Sequence, residues 1–142
     1  NICAGIGRGQ MEVLDEHVAL RRHMHNFYVD IFASIEGVSV FSVPNDDYFA
    51  NYWLSAITID ASKTNGITAE TLRLALEAEN IESRPLWKPM HLQPIFERYP
   101  YYGKTVAENL FKNGLCLPSG SNLTDEDRTR IKKAIHTIFK HQ

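Results

Sequence analysis

Three prolines within thirteen residues set the tightest limit on how this chain folds. The run Arg84–Phe96 reads RPLWKPMHLQPIF, with Pro85, Pro89 and Pro94. Each proline lacks an N–H and locks φ, so the run cannot continue as an α-helix or lie in a central strand. A stiff, extended loop is predicted. It holds Trp87, Lys88, His91 and Gln93 at a cost in folding entropy, and loops of that kind often carry function. The competing reading is a connector whose Trp87, Met90, Leu92, Ile95 and Phe96 cap a core.

The rest of the sequence has room for one domain. With 142 residues it buries roughly two-thirds of its unfolded surface. Hydrophobic residues make up 44% and charged ones 23%, which argues against disorder. A formal charge of −2 gives no electrostatic case for nucleic acid. No apolar run approaches the roughly 20 residues of a membrane span. The start, NICAGIGRGQ, lacks the basic and apolar regions of a secretion signal, so cytoplasm is the expected compartment. Cys3 and Cys116 are too few for a zinc site and read as free thiols rather than a disulfide.

Val13, Leu20, Met24, Phe27 and Ile31 recur at helical spacing and predict one long helix over residues 9–33. Met11, Leu14 and Val18 widen the stripe, so this helix needs more than one partner surface. Gly37 stops it. Val38–Val43 reads as a strand closed by Pro44-Asn45-Asp46. Trp53–Asp60 alternates with both sides fairly apolar, as a central strand would. Thr68–Glu79 is predicted as a helix capped by Thr68, with Leu72, Ala75 and Leu76 inside and Asn80 left-handed at its end. Glu82–Leu86 is extended and held to an edge by Pro85. Lys104–Asn113 is a short helix ending at Gly114, and Leu115–Pro118 is a buried strand. Thr124 caps a last helix, with acids in its first turn, Lys140 and His141 at its end, and Ile131, Ile135 and Ile138 as its seam. The fold class is α/β of the α+β kind: a short, mostly antiparallel sheet covered by helices on one face.

Gly5-x-Gly7-x-Gly9 ahead of a helix superficially resembles a phosphate-cradling turn, but it lacks a preceding strand and the full GxGxxG spacing. Small residues allowing close backbone packing is the competing account. Arg8, at the expected helix mouth, keeps an anion contact in view. His17, His23 and His25 lack ligand spacing and read as exposed or half-buried, so no metal site is expected. His136 and His141 are expected to face solvent. His91 differs, because the stiff loop fixes it. Neutral, it can donate to a hydroxyl or a phosphate oxygen; protonated, it can pair with a diphosphate. The Arg84 fork suits a phosphate or carboxylate, or a surface pair with Glu82 or Glu97. Trp87 offers a stacking face or core packing, and Lys88 meets phosphate or water. No residue reads as catalytic. The cluster Tyr99, Tyr101 and Tyr102 has no assigned role.

Four segments, in order, resemble the C-terminal domain of the DegT/DnrJ/EryC1/StrS family, pyridoxal-phosphate (PLP) aminotransferases that act on nucleotide-linked keto-sugars. NICAGIGRGQMEVLDEHVALRR is similar to the family's small-residue turn and its GQLE-x-LD helix. ANYWLSAITID is similar to the central strand of its small domain. AENIESRPLWKPMHLQPIF resembles its R-x-x-W-x-P-x-H-x-Q-P signature, the most specific of the four. GLCLPSGSNLTDEDRTRI resembles its LPxxxxLTxED strand, loop and helix start. The Trp87–Lys88–Pro89–Met90–His91 version is most similar to enzymes aminating a UDP-linked 4-keto-6-deoxy sugar of the bacillosamine type.

The resemblance implies that residues 1–142 are one small domain of a dimeric enzyme whose large domain, absent here, carries the PLP lysine. It implies transfer of an amino group, with glutamate as the expected donor, to the keto carbon of a nucleotide sugar. The family's matching histidine lies near the sugar nucleotide, commonly across the dimer interface, and that role passes to His91. Arg84, Trp87, Lys88 and Arg8 complete the expected substrate-binding set. None of the seven lysines stands in the family's lysine context, so no PLP is expected on this chain and it is expected to be inactive alone. Two alternatives stay open: a PLP-family sugar dehydratase, and a free-standing module that binds a ligand or partner without catalysis.

Overall fold

The computed structural model describes residues 1–140. Helix α1, Ile2–Glu12, and helix α2, Leu14–Phe32, meet at Val13, whose φ of −117° and ψ of 9° leave the helical region. The single helix expected over residues 9–33 is therefore two, and the first begins earlier because the Asn1 side chain caps it by accepting from the Cys3 N–H. The core explains the break. Met24, Tyr28, Ile31 and Phe32 anchor the C-terminal half of α2, whereas α1 buries nothing. Ile2, Ile6, Met11 and Leu14 stay exposed, so little burial holds α1 in line with α2. The three early glycines lie inside α1, not in a turn, and a Cβ on any of them would meet open space. Neither a phosphate cradle nor close packing accounts for them.

Strands β1, Val38–Val40, β2, Ser55–Ile59, β3, Arg84–Pro85, and β4, Gly114–Leu117, form one antiparallel sheet in the order β1-β2-β4-β3. Central β2 places Ile57 opposite Leu115 and Ser55 opposite Leu117. On β2 the buried residues are Ser55, Ile57 and Ile59, the alternation of a strand with one face on the core. Trp53, expected in this strand, lies ahead of it and is exposed. Strand β1 is shorter than the predicted Val38–Val43. After the Phe41 N–H donates to the Ala56 carbonyl, the Phe41 carbonyl turns to His25 instead of the ladder. Pro85 sits on an edge strand, where its missing N–H costs no ladder bond.

Helix α3, Ala69–Ala78, and helix α5, Asp125–Phe139, pack on the core face beside α2. Both begin at the predicted threonines. Thr68 exchanges bonds with Thr71, and Thr124 with Asp127, each closing a capping box. Donation from the Thr124 backbone N–H and hydroxyl holds the Asp127 carboxyl below the usual aspartate range. Asn80 takes its left-handed φ of 54° where α3 ends. Leu72, Leu76, Ile131, Ile135 and Phe139 close the core over Ile57 and Leu115. His136 is exposed; His141 lies outside the described residues. Tyr28, fully buried, donates its hydroxyl to the Pro118 carbonyl at 2.7 Å, and burial drives its pKa up.

Helix α4, Val106–Asn113, is placed differently. It flanks Ser39 and Thr58 on the other face of the sheet, across a groove of about 880 Å³. The proline loop emerges on that same side, between β3 and α4. The face opposite the main core is thus where the loop is displayed.

Candidate functional site

The loop after β3 is built from proline geometry. Pro89 has φ of −54° and ψ of 144°, and a single 3₁₀ turn, Met90–Leu92, follows it. The Leu92 N–H donates to the Pro89 carbonyl and the Gln93 N–H to the Met90 carbonyl, at 3.0 and 2.9 Å. The Gln93 side chain closes back on the Lys88 carbonyl. Prolines thus permit one turn of 3₁₀ helix where no longer helix can form.

This loop does not cap the core. Trp87 is 70% exposed, Met90 61% and Ile95 69%, and Leu92 is also exposed; only Phe96 is half-buried. The core-capping reading, and core packing for Trp87, are both overturned. The physical reason is that α2, α3 and α5 already fill the core face, leaving the loop the opposite one.

His91 is held by two neighbours. Its Nε2 lies 2.9 Å from Glu108 Oε1 on the first turn of α4, and its ring stacks on Tyr101 with centroids 3.6 Å apart and planes 18° apart. The side chain is 16% exposed, so it is neither sealed nor free to rotate. Tyr101 is itself pinned, donating its hydroxyl to the Lys104 carbonyl at 2.8 Å. This gives a role to one of the three unassigned tyrosines. Tyr99 instead lies against Arg98, and Tyr102 is 89% exposed.

Arg84 pairs with Glu82 through Nε and Nη2, both residues being exposed. A surface pair of this kind is worth little, so the guanidinium can exchange its partner at small cost. Arg84 and Trp87 line one cleft of about 440 Å³, together with Trp53, Ser83 and Cys116. Burial raises the Cys116 thiol pKa, making it a poor nucleophile. Lys88 is exposed beside the cleft. Arg8 is not brought to this side by any contact: it lies within exposed α1, and among the described residues it shares no hydrogen bond or ion pair with the loop.

Sequence reasoning missed a second cluster. His25, expected exposed or half-buried, is 4% exposed. Its Nε2 lies 3.1 Å from Ser42 Oγ and 3.2 Å from the Phe41 carbonyl, and its ring stacks on Tyr52 at 3.6 Å. On the preceding turn, Arg21 donates to the Trp53 and Ser119 carbonyls, and Arg22 to the Ala50 carbonyl beneath the Phe49 ring. Three side chains on two consecutive turns of α2 therefore fasten the loop of residues 41–54. Tyr52 holds a φ of 47°, which an aromatic residue adopts only under such constraint. The Arg-Arg-x-x-His spacing was the available signal, but its partners are 16 to 98 residues away.

PLP, implied by the resemblance, is anchored through a lysine amine, and an activated lysine must be withdrawn from water or placed beside another charge. All seven lysines, from Lys63 to Lys140, are exposed. These exposed lysines do not fit that anchoring. Among the described residues no group of His, Cys, Asp and Glu is arranged to hold a metal, and no helix is long and apolar enough to cross a membrane.

The model of the DegT/DnrJ/EryC1/StrS aminotransferase family matches residues 1–136. EpsN of Bacillus subtilis (strain 168), named provisionally as a pyridoxal phosphate-dependent aminotransferase, is 40% identical over 143 residues, covering 98% of this chain and 36% of EpsN. GDP-perosamine synthase of Escherichia coli O157:H7 is 30% identical over 139 residues, with coverages of 98% and 36%. The chain thus spans little more than a third of the curated relatives it matches. The crystal structure of the aminotransferase TlmJ from Streptoalloteichus hindustanus superimposes with a TM-score of 0.82 at 21% identity, covering 96% of this chain and 36% of TlmJ, a likeness of fold. The family model and the 40% identical relative agree: the chain belongs to the DegT/DnrJ/EryC1/StrS aminotransferase family.

Proposed function

We propose that residues 1–142 act as the C-terminal, substrate-orienting domain of a longer, dimeric, cytoplasmic PLP-dependent aminotransferase. The reaction in this reading moves an amino group from glutamate to a nucleotide-linked 4-keto-6-deoxy sugar, with the bacillosamine-type UDP sugar as first choice. One observation carries the proposal: the loop displays Trp87, Met90 and Ile95 to solvent while holding His91 rigidly. Exposed apolar residues on a stiff loop are costly unless something covers them, and a substrate with its enclosing domain would do so.

His91 contacts the sugar nucleotide in this reading. Arg84 leaves Glu82 to take a phosphate or the donor carboxylate, Trp87 supplies a stacking face, and Lys88 adds positive charge at the rim. Arg8, exposed on α1, is an anion contact only if the enclosing domain meets α1. When bound in the complete enzyme, PLP supplies the electron sink. The chain alone is inert, because its lysines stay in water.

Single-turnover kinetics test this on the complete enzyme. His91→Ala is expected to slow amination of the keto-sugar about 100-fold while leaving the glutamate half-reaction within about twofold. The 142-residue chain supplied with PLP is expected to perform neither half-reaction. Equal slowing of both halves, or turnover by the chain alone, would refute the proposal.

A further inference from the structure

Helix α4 breaks a local rule that α3 and α5 keep. All three are preceded by threonine: Thr68, Thr105 and Thr124. In α3 and α5 that threonine and the residue three positions on exchange bonds in a capping box. Helix α4 has Thr105 followed by Glu108, the preferred pairing for such a box. Yet Thr105 makes no side-chain cap bond, and the Glu108 carboxylate reaches His91 instead. Forgoing a favourable local interaction for a contact between a helix residue and the proline loop marks a site kept for function.

The atoms define what that contact does. A carboxylate only accepts, so the hydrogen in the 2.9 Å contact belongs to His91 Nε2. Nδ1 has no hydrogen-bond partner among the described residues. It is not sealed either, since the buried unpartnered side-chain polar atoms there are the hydroxyls of Ser55 and Ser83. Tyr101 covers one face of the ring and prevents it from flipping edge for edge. Gly103 leaves room for Tyr101: a Cβ there would lie 2.6 Å from the Tyr101 hydroxyl oxygen, so one of the two would have to shift.

We propose that Glu108 and Tyr101 are positioning residues that fix the His91 proton on Nε2 and present Nδ1 as an acceptor to a hydroxyl of the sugar. This rests on the reading of His91 as a substrate contact. It also revises the sequence expectation, because the neutral ring has already given its one proton to Glu108 and has none to donate to a phosphate oxygen. The sugar hydroxyl, not the diphosphate, is then the partner of neutral His91. Arg84 and Lys88 are the groups left for the anion.

The first test needs no substrate. Long-range proton–nitrogen NMR of the 142-residue chain at about pH 8.5, where an ordinary imidazole is neutral, is expected to show His91 as a single Nε2–H tautomer. Glu108→Gln, whose amide can donate as well as accept, is expected to mix the tautomers. Gly103→Ala is expected to do the same by displacing Tyr101, and Tyr101→Phe to preserve the wild-type pattern. A wild-type ring protonated on Nδ1, or already mixed, overturns the proposal. The second test is kinetic, in the complete enzyme. Glu108→Gln is expected to raise the KM for keto-sugar about tenfold, with the glutamate half-reaction unchanged. His91→Asn, which keeps an acceptor near the Nδ1 position, is expected to retain more activity than His91→Gln. If His91→Ala impairs the sugar half-reaction and Glu108→Gln does not, the positioning claim fails and the His91 reading stands. If neither variant affects that half-reaction, the reading of His91 fails with it.

Discussion

Gly114→Ala is expected to destabilise the domain by about 3 kcal/mol, the upper end for an overpacked site. Gly114 joins α4 to β4 and is buried. A Cβ there would lie 2.2 Å from Leu86 Cδ1 and 2.5 Å from the Leu110 carbonyl oxygen. Leu86 can swing away, but the carbonyl belongs to the backbone of α4, so the helix or the strand must shift. Leu86 adjoins Trp87, and its movement unseats the start of the proline loop. Urea unfolding should therefore show a lower midpoint together with altered indole fluorescence in the native baseline. Gly5→Ala is the contrasting variant. It adds a methyl in open space within a helix, where alanine is favoured by up to about 1 kcal/mol. Equal midpoints for wild type and Gly114→Ala would show that the junction is looser than these distances require.

His25→Ala is expected to cost about 3 kcal/mol as well, combining a cavity under Tyr52 with lost hydrogen bonding to Ser42 and the Phe41 carbonyl. The effect should extend beyond global stability. Tyr52 holds its left-handed backbone only while the ring beneath it and Arg22 beside it remain, so its release should free the loop of residues 41–54. Amide exchange in that loop is the direct readout. Faster exchange at Val43, whose N–H donates to the Tyr52 hydroxyl, is expected before any change in β2. If His25→Ala lowered stability by less than about 0.5 kcal/mol, the range of an ordinary surface change, the cluster would be incidental.

The two clusters differ in how visible they were beforehand. The helices capped by Thr68 and Thr124 and the edge placement of Pro85 were legible because each depends on neighbours within four residues. Central β2 was legible from its alternation and from both its sides being fairly apolar, although the strand starts at Ser55 and not at Trp53. The break at Val13 was not, because residues 9–33 carry a continuous apolar stripe and only the extent of the core decides which half is buried. Gly114 was readable as a helix end, but its φ of −102° is not a left-handed cap; its smallness answers to Leu86, 28 residues earlier. Likewise His91 was legible through the proline loop and the family signature, whereas Glu108 lies 17 residues on. The His25 cluster was missed for the same reason: a histidine on a helix gives no sign of which loop returns to it.

The proposal that His91 meets the sugar part of a nucleotide sugar rests on the exposed loop and the rigid imidazole. A crystal structure of the complete enzyme with a bound, unreactive analogue of the keto-sugar nucleotide measures this directly. The account predicts a sugar hydroxyl within hydrogen-bond distance of His91 Nδ1, with the Nε2 contact to Glu108 intact. A fully ordered sugar beyond hydrogen-bond reach of His91 in every subunit would contradict it.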